Sequence, residues 1–151
     1  MARGRIRSLR SRALSLLARR EHSRAELARK LAVHADVNDN VGEILDELAA
    51  KGWLSDARFA EQVARAKARR YGPVKLAHYL KSRGVEPESI TAGIRAAGAD
   101  GTASLEQVWR SRFRALPQNE REKARQVRFL LGRGFRNEEI FRFLKTGNPS
   151  T

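Results

Sequence analysis

The sequence predicts an all-α fold of three tandem three-helix repeats, elongated and curved, on three observations. Hydrophobic residues make up 41% of the 151-residue chain and much of that share is alanine and leucine, strong helix formers, while β-branched and aromatic residues are sparse. Apolar residues recur at helical spacing almost throughout, broken by short caps and glycine turns. A pattern also returns: Leu80, Arg83, Gly84, Val85, Ile90 and Ile94 reappear 50 positions later as Leu130, Arg133, Gly134, Phe135, Ile140 and Leu144.

The elements follow in order. Residues 1–7, with Arg3, Arg5 and Arg7, form a basic arm, and Leu9, Ala13, Leu16 and Leu17 give the apolar face of a first helix over 7–20. Ser23 and Glu26 make a capping box for a second helix over 23–33, whose core residues are Leu27 and Leu31. Ile44 and Leu48 mark a third over 38–51. Ser55 and Asp56 place an acceptor and a negative charge at the start of a fourth, 55–70. Gly72-Pro73 ends it and begins a fifth, 73–83, with proline in the tolerated first turn. Gly84 before Val85, and Gly134 before Phe135, carry the signature of left-handed glycine caps. Further helices are expected over 87–97, 102–115, 119–133 and 137–146, the last capped by Asn137. These group into repeats at 8–51, 55–97 and 102–146, with a tail at 147–151. The first repeat lacks the Arg-Gly turn and has a longer connection, Val33 to Asn40. Each repeat has only about 15 core positions, so neighbours are expected to share faces.

Charge bounds the function. Lys and Arg number 31 against 17 Asp and Glu, a formal net charge of +14. Such an excess attracts polyanions through long-range fields and counterion release. Arginine dominates, and its planar fork suits phosphate and carboxylate alike. Nucleic acid and an acidic protein surface are therefore the two partner classes. The chain has no cysteine, which excludes disulfides and thiolate metal sites. His22, His34 and His78 fit no helical metal pair, and no cofactor or metal is expected. No apolar run approaches the roughly 20 residues of a membrane span, and the arginine-rich start lacks the apolar core of a secretory signal. Cytoplasm is the expected compartment. No phosphate-binding glycine loop precedes a lysine and a hydroxyl residue, and no nucleophile–base pair emerges, so the chain reads as a non-enzyme.

Candidate binding residues are basic stripes. Arg58, Arg65 and Arg69 share a helix face, with Arg70 adjoining. Between Val63 and Val85 stand Arg65, Lys67, Arg69, Arg70, Lys75, Lys81 and Arg83 and no acid. Arg121, Arg125 and Arg128 form a second stripe at i, i+4 and i+7. Solvated faces usually mix signs, so bare positive faces point to an anionic partner. Asp36, Asp39, Glu43, Asp46 and Glu47 form an opposing acidic run. Trp53, Leu54 and Phe59 bracket the Ser55 cap at staple-like spacing, which favours a structural role joining two repeats over base stacking. Tyr71, Phe129, Phe135, Phe141 and Phe143 are expected in the core, and Asp56 and Arg58 to pair or cap.

Three segments carry a resemblance: Gly52-Trp53-Leu54-Ser55-Asp56-Ala57-Arg58-Phe59-Ala60, Tyr71-Gly72-Pro73-Val74-Lys75-Leu76 running on to Leu80 and Arg83-Gly84-Val85, and Phe129-Leu130-Leu131 with Arg133-Gly134-Phe135. Their order and spacing, over roughly residues 13 to 146, resemble the RecX family. Trp53, Leu54, Asp56, Phe59, Gly72, Leu80, Gly84, Leu130, Gly134 and Phe135 are the structural positions of that motif set. The chain departs from the family pattern at Gly132, often basic, and Arg136, often a capping serine.

The resemblance implies three tandem three-helix repeats and a partner, the RecA filament on single-stranded DNA. It implies inhibition of strand exchange, ATP hydrolysis and coprotease activity, and so a place in recombination, repair and the SOS response. A monomer is expected. The alternatives are a stand-alone basic helical DNA-binding protein, disfavoured because no helix carries base-reading residues at the required spacing, and a peptide-binding helical scaffold.

Overall fold

A computed structural model of the chain describes residues 8–147. Among these the chain forms α-helices and no strand: α1 (Leu9–Arg19), α2 (Arg24–Ala32), α3 (Val41–Ala50), α4 (Asp56–Lys67), α5 (Pro73–Ser82), α6 (Pro87–Ala96), α7 (Thr102–Arg110), α8 (Glu120–Gly132) and α9 (Asn137–Thr146). The basic arm at 1–7 and the tail from 148 lie outside the described residues.

Each successive triplet closes its own core. Leu9, Ala13, Leu27, Leu31, Leu45, Leu48 and Leu54 fill the first. Phe59, Ala60, Leu76, Leu80, Val85, Ile90 and Ile94 fill the second. Leu105, Val108, Trp109, Leu130, Phe135, Ile140, Phe143 and Leu144 fill the third. Close helix–helix packing stays within triplets. In the third core Trp109 Nε1 donates to Gln126 Oε1 (2.8 Å) and Gln126 Nε2 donates to the Ala115 carbonyl, so the buried polar pair is satisfied.

Gly84 and Gly134 end α5 and α8 in left-handed conformation, φ 78° and 97°. Both make the two-bond glycine cap: Val85 N–H donates to the Leu80 carbonyl and Gly84 N–H to Lys81, and Phe135 and Gly134 donate likewise to Leu130 and Leu131. These turns also join the bundles. A Cβ on Gly84 would stand 2.5 Å from the Ala25 Cβ, and one on Gly134 would stand 2.4 Å from the Lys75 Cβ. At the first joint Ser23 Oγ donates to the Arg83 carbonyl, and at the second Gly72 N–H donates to the Arg133 carbonyl (2.7 Å) and Val74 N–H to Gly134 (2.9 Å). The C-terminus of one middle helix thus abuts the N-terminus of the preceding middle helix, α5 on α2 and α8 on α5. Partial charges of opposite sign meet at each joint.

Bundles therefore meet through helix ends, not through the shared apolar faces expected from their small size. The reason is local: glycine lets backbone approach backbone, and unpaired helix-end groups find partners across the joint. Asp56 serves the first joint as well, accepting from the Arg24 N–H at the start of α2 (2.7 Å). The Ser23 capping box is half-made. Ser23 Oγ accepts from the Glu26 N–H, but the Glu26 carboxylate is held by Arg20 through two bonds of 2.9 and 2.7 Å. The third helix starts at Val41, where Asn40 supplies the cap, three residues later than its expected start at 38. The seventh ends at Arg110 instead of 115, and Arg136 precedes α9 without a side-chain cap, leaving Asn137 inside the helix.

Candidate nucleic-acid and filament interface

Side chains spaced four apart lie on one helix face, and the second and third bundles carry cations and aromatics at that spacing. Lys75, Tyr79 and Arg83 line α5 and its end; Arg125, Phe129 and Arg133 stand 50 positions on, along α8. Lys67, the last residue of α4, and Tyr71, just past the turn that follows it, extend the first series backwards at the same interval. The rings are half-buried and each is flanked by two cations. Lys67 Nζ (4.7 Å) and the Arg83 guanidinium (5.0 Å) lie over Tyr79. Lys75 Nζ (4.8 Å) and Arg133 (6.0 Å) lie over Tyr71. Arg133 (5.1 Å) and Arg112 (5.5 Å) lie over Phe129. Phe113 meets Phe129 edge-on at 5.3 Å, and Arg125 lies 5.9 Å from Phe113.

The result is a strip from Arg83 to Arg125 that crosses the second joint. Tyr71 takes one cation from each side of that joint, Lys75 from α5 and Arg133 from the end of α8. Lys75 Nζ also donates to the Gly132 carbonyl (3.3 Å), and Arg133 Nη1 to the Arg70 carbonyl (3.5 Å). Ring faces covered by cations are poor platforms for bases. They hold the charged heads in place, each contact contributing about 0.5–1 kcal/mol. Such an array is fitted to contact a phosphate backbone without reading sequence.

The expected basic residues divide into three groups. Lys67, Lys75, Arg83 and Arg125 belong to the strip. Arg69, Arg70, Lys81, Arg121 and Arg128 are exposed and make no ion pair with any described residue. Arg58 and Arg65 are neutralised within the chain, Arg58 by Glu21 (2.9 Å) and Arg65 by Glu61 (2.6 Å). The acid-free window from Val63 to Val85 misses Glu61 because it lies one helical turn before Arg65. The acidic run is partly neutralised too: Asp46 pairs with Arg24 (2.6 Å), and Glu47 with Arg10 (3.0 Å) and Lys51 (3.1 Å). Those two cations hold the Glu47 carboxyl below its usual range.

Aromatic placement also departs from expectation. Trp53 is 46% exposed, with Lys51 and Arg10 over its ring, and does not bridge two cores. Leu54 enters the first core and Phe59 the second, so that pair spans the boundary instead. Phe141 is 45% exposed, whereas Phe135 and Phe143 are buried. Arg112, Arg133, Tyr79 and Phe113 are not among the residues that charge stripes alone single out, although for Tyr79 and Arg133 the four-residue alternation is a signal present in the sequence.

Away from the strip, His22 is buried. Its Nδ1 meets the Arg20 carbonyl (3.1 Å) and its Nε2 meets Lys30 Nζ (2.9 Å), so the ring is neutral with its proton on Nδ1. Burial pushes its pKa down. The hydrogen bonds from Arg20 hold Glu26 below its ordinary value. Among the described residues no group of three or more His, Asp or Glu side chains is set to hold a metal ion, and no helix is long and apolar enough to cross a membrane.

Regulatory protein RecX of Chromobacterium violaceum is 45% identical over 141 residues, spanning 93% of this chain and 91% of that one. The chain belongs to the RecX family. Regulatory protein RecX of Leptothrix cholodnii is 41% identical over 91% of the chain and 88% of its own length. Family models described as RecX, second three-helix domain, and RecX, third three-helix domain, match residues 55–94 and 100–144. The strip thus lies in the part of the chain that both RecX domain models cover. The fold is shared with the crystal structure of RecX from Lactobacillus salivarius, with a TM-score of 0.75 over 95% of this chain and 96% of that one at 16% identity. A crystal structure of regulatory protein RecX aligns with a TM-score of 0.71 over 91% of the chain and 71% of its own, at 18% identity.

Proposed function

We propose that this RecX chain is a non-enzymatic negative regulator of RecA, binding the RecA–single-stranded DNA filament and inhibiting its ATPase, strand-exchange and coprotease activities in the cytoplasm. One observation carries the reading: the cation–aromatic strip, duplicated on α5 and α8 and running across the second joint. A surface of this kind matches a regular polyanion, and bundles joined in series match a repeating polymer. Docked along the filament, one chain spans neighbouring protomers and couples several ATPase units at once. Arg69, Arg70, Arg121 and Arg128 add charge free to meet phosphate or acidic RecA surface.

The test is RecA-catalysed ATP hydrolysis on single-stranded DNA, titrated with the protein. Hydrolysis is expected to fall as the protein approaches stoichiometry with the filament. Unchanged hydrolysis and strand exchange at excess would overturn the reading, and tight sequence-preferring binding to duplex DNA without RecA would favour a stand-alone DNA-binding protein.

A further inference from the structure

The two joints share a backbone arrangement and differ in what borders them. Arg24 and Lys81 stand at the first; the positions 50 residues on, at the second, are Val74 and Leu131. Arg24 is tied to Asp46, whereas Val74 is 48% and Leu131 42% exposed. The first joint closes without apolar residues there, so joining bundles does not require them. With His78, Lys81, Pro87 and Ile90 they line an open cleft of about 580 Å³, and among the described residues no acidic one lines it. Its lining is largely apolar, and its charged side chains are Lys75, a member of the strip, and Lys81.

Among the described residues the exposed large hydrophobics are Val33, Val37, Trp53, Val74, Leu131 and Phe141. Of these, Val37 alone has an acid within two residues on both sides, Asp36 and Asp39. It is 99% exposed. Its turn is preformed: Asp39 N–H donates to the Asp36 carbonyl, Asp36 N–H to the Asp39 carboxylate, and Asn38 N–H to the Asp36 carboxylate. A segment already ordered loses little entropy on binding.

We propose that the cleft between α5 and α8 receives the Asp36–Asp39 turn of a second copy of this chain, with Val37 entering against Leu131 and the aspartates meeting Lys81. The segments that flank the described residues in this sequence fit poorly. Residues 1–7 carry Arg3, Arg5 and Arg7, the wrong sign, and residues 148–151 offer no large apolar side chain. The two patches differ, so the contact is heterologous and links copies head to tail. An interface well under about 1,200 Å² is transient, which leaves the dilute chain monomeric. Copies seated side by side on one polymer bring the two patches together.

The absence of cysteine gives a direct test. Single variants Val37→Cys and Leu131→Cys are oxidised alone and mixed, at about 0.15 M salt, where the roughly 8 Å screening length suppresses net repulsion but not contact charges. The mixture is expected to cross-link about tenfold faster than either variant with itself, the ratio that about 1.4 kcal/mol of contact energy gives. Adding Lys81→Glu to the Leu131→Cys partner is expected to remove that excess. Both cysteine positions are exposed, and unchanged far-UV circular dichroism confirms that folding is intact. A mixed rate no greater than the self-linking rates, or one indifferent to Lys81→Glu, overturns the proposal. If the excess is absent and the Leu131→Cys thiol is shielded from alkylation by RecA filament, the cleft belongs to another protein and the proposal fails.

Discussion

Replacing Gly134 by alanine puts a methyl group where two bundles meet. The backbone there has φ 97°, a conformation that strains an L side chain by about 1–3 kcal/mol. The new Cβ would lie 2.4 Å from the Lys75 Cβ and 2.7 Å from the Lys75 nitrogen. The start of α5 must then move away, which weakens the bonds from Gly72 to Arg133 (2.7 Å) and from Val74 to Gly134 (2.9 Å). At about 1 kcal/mol net for each bond, the full destabilisation comes to about 3–5 kcal/mol. Because each bundle keeps its own core, the chain can relieve the strain by opening the joint without unfolding. The expected outcome is near-native helicity, a Tm lower by up to about 10 °C, and a loss of RecA inhibition of about tenfold or more, because Lys75 and Arg133 no longer share Tyr71. Gly132→Ala is the matched control: its Cβ would meet nothing within 4 Å, and stability is expected to hold or rise by up to about 1 kcal/mol. If Gly134→Ala is as stable and as inhibitory as the parent, the joint does not position the strip and the reasoning fails.

Other outcomes follow from named interactions. Arg65→Ala is expected to change binding to single strands less than Arg69→Ala, since Glu61 already neutralises Arg65; titrations against salt should show the slope falling by about 0.7 for each phosphate that the variant no longer neutralises. Equal slopes for both variants would return Arg65 to the interface. Gln126→Leu leaves the buried Trp109 N–H without its partner and is expected to lower stability by about 1–3 kcal/mol in urea unfolding. His22 has its pKa below the ordinary 6.5, so the unfolded chain takes up a proton that the folded chain refuses. Stability is therefore expected to fall as pH drops below about 6.5. Glu26, held below its usual 4.5, adds stability that is full above that value and is lost as pH falls through its depressed one. Burial pushes the Glu139 carboxyl up, which works the opposite way, so thermal melts between pH 7.5 and 5.5 should be compared for the parent and His22→Gln, whose difference gives the histidine part.

Much of the fold is legible in the sequence because its signals are local. The 50-residue return of Arg-Gly before a hydrophobic residue marks Gly84 and Gly134 as left-handed caps, and the apolar spacing places Leu27, Leu31, Leu80 and Leu130 in cores. How bundles join is not legible, since a glycine that ends a helix looks the same whether its open face meets water or the next backbone. Ion pairing is hidden for a similar reason. Arg58 finds Glu21 37 residues away, a partner that no window along the chain reveals. Charge alone puts Arg58 and Arg65 beside Lys67 and Arg83 as candidate interface residues. What separates them is the aromatic rings between the cations, and sequence pattern sends those rings to the core because a half-buried tyrosine and a core tyrosine occupy similar helical positions.

The strip is the feature on which the proposed function depends, and one comparison tests it most directly: inhibition of RecA-catalysed ATP hydrolysis on single-stranded DNA by the parent chain and by a Lys67→Gln, Lys75→Gln, Arg83→Gln, Arg133→Gln variant with matched helicity. The variant is expected to need at least about tenfold more protein for the same inhibition, and to show a much weaker dependence on salt. Superimposable inhibition curves at every salt concentration would contradict a role for the strip.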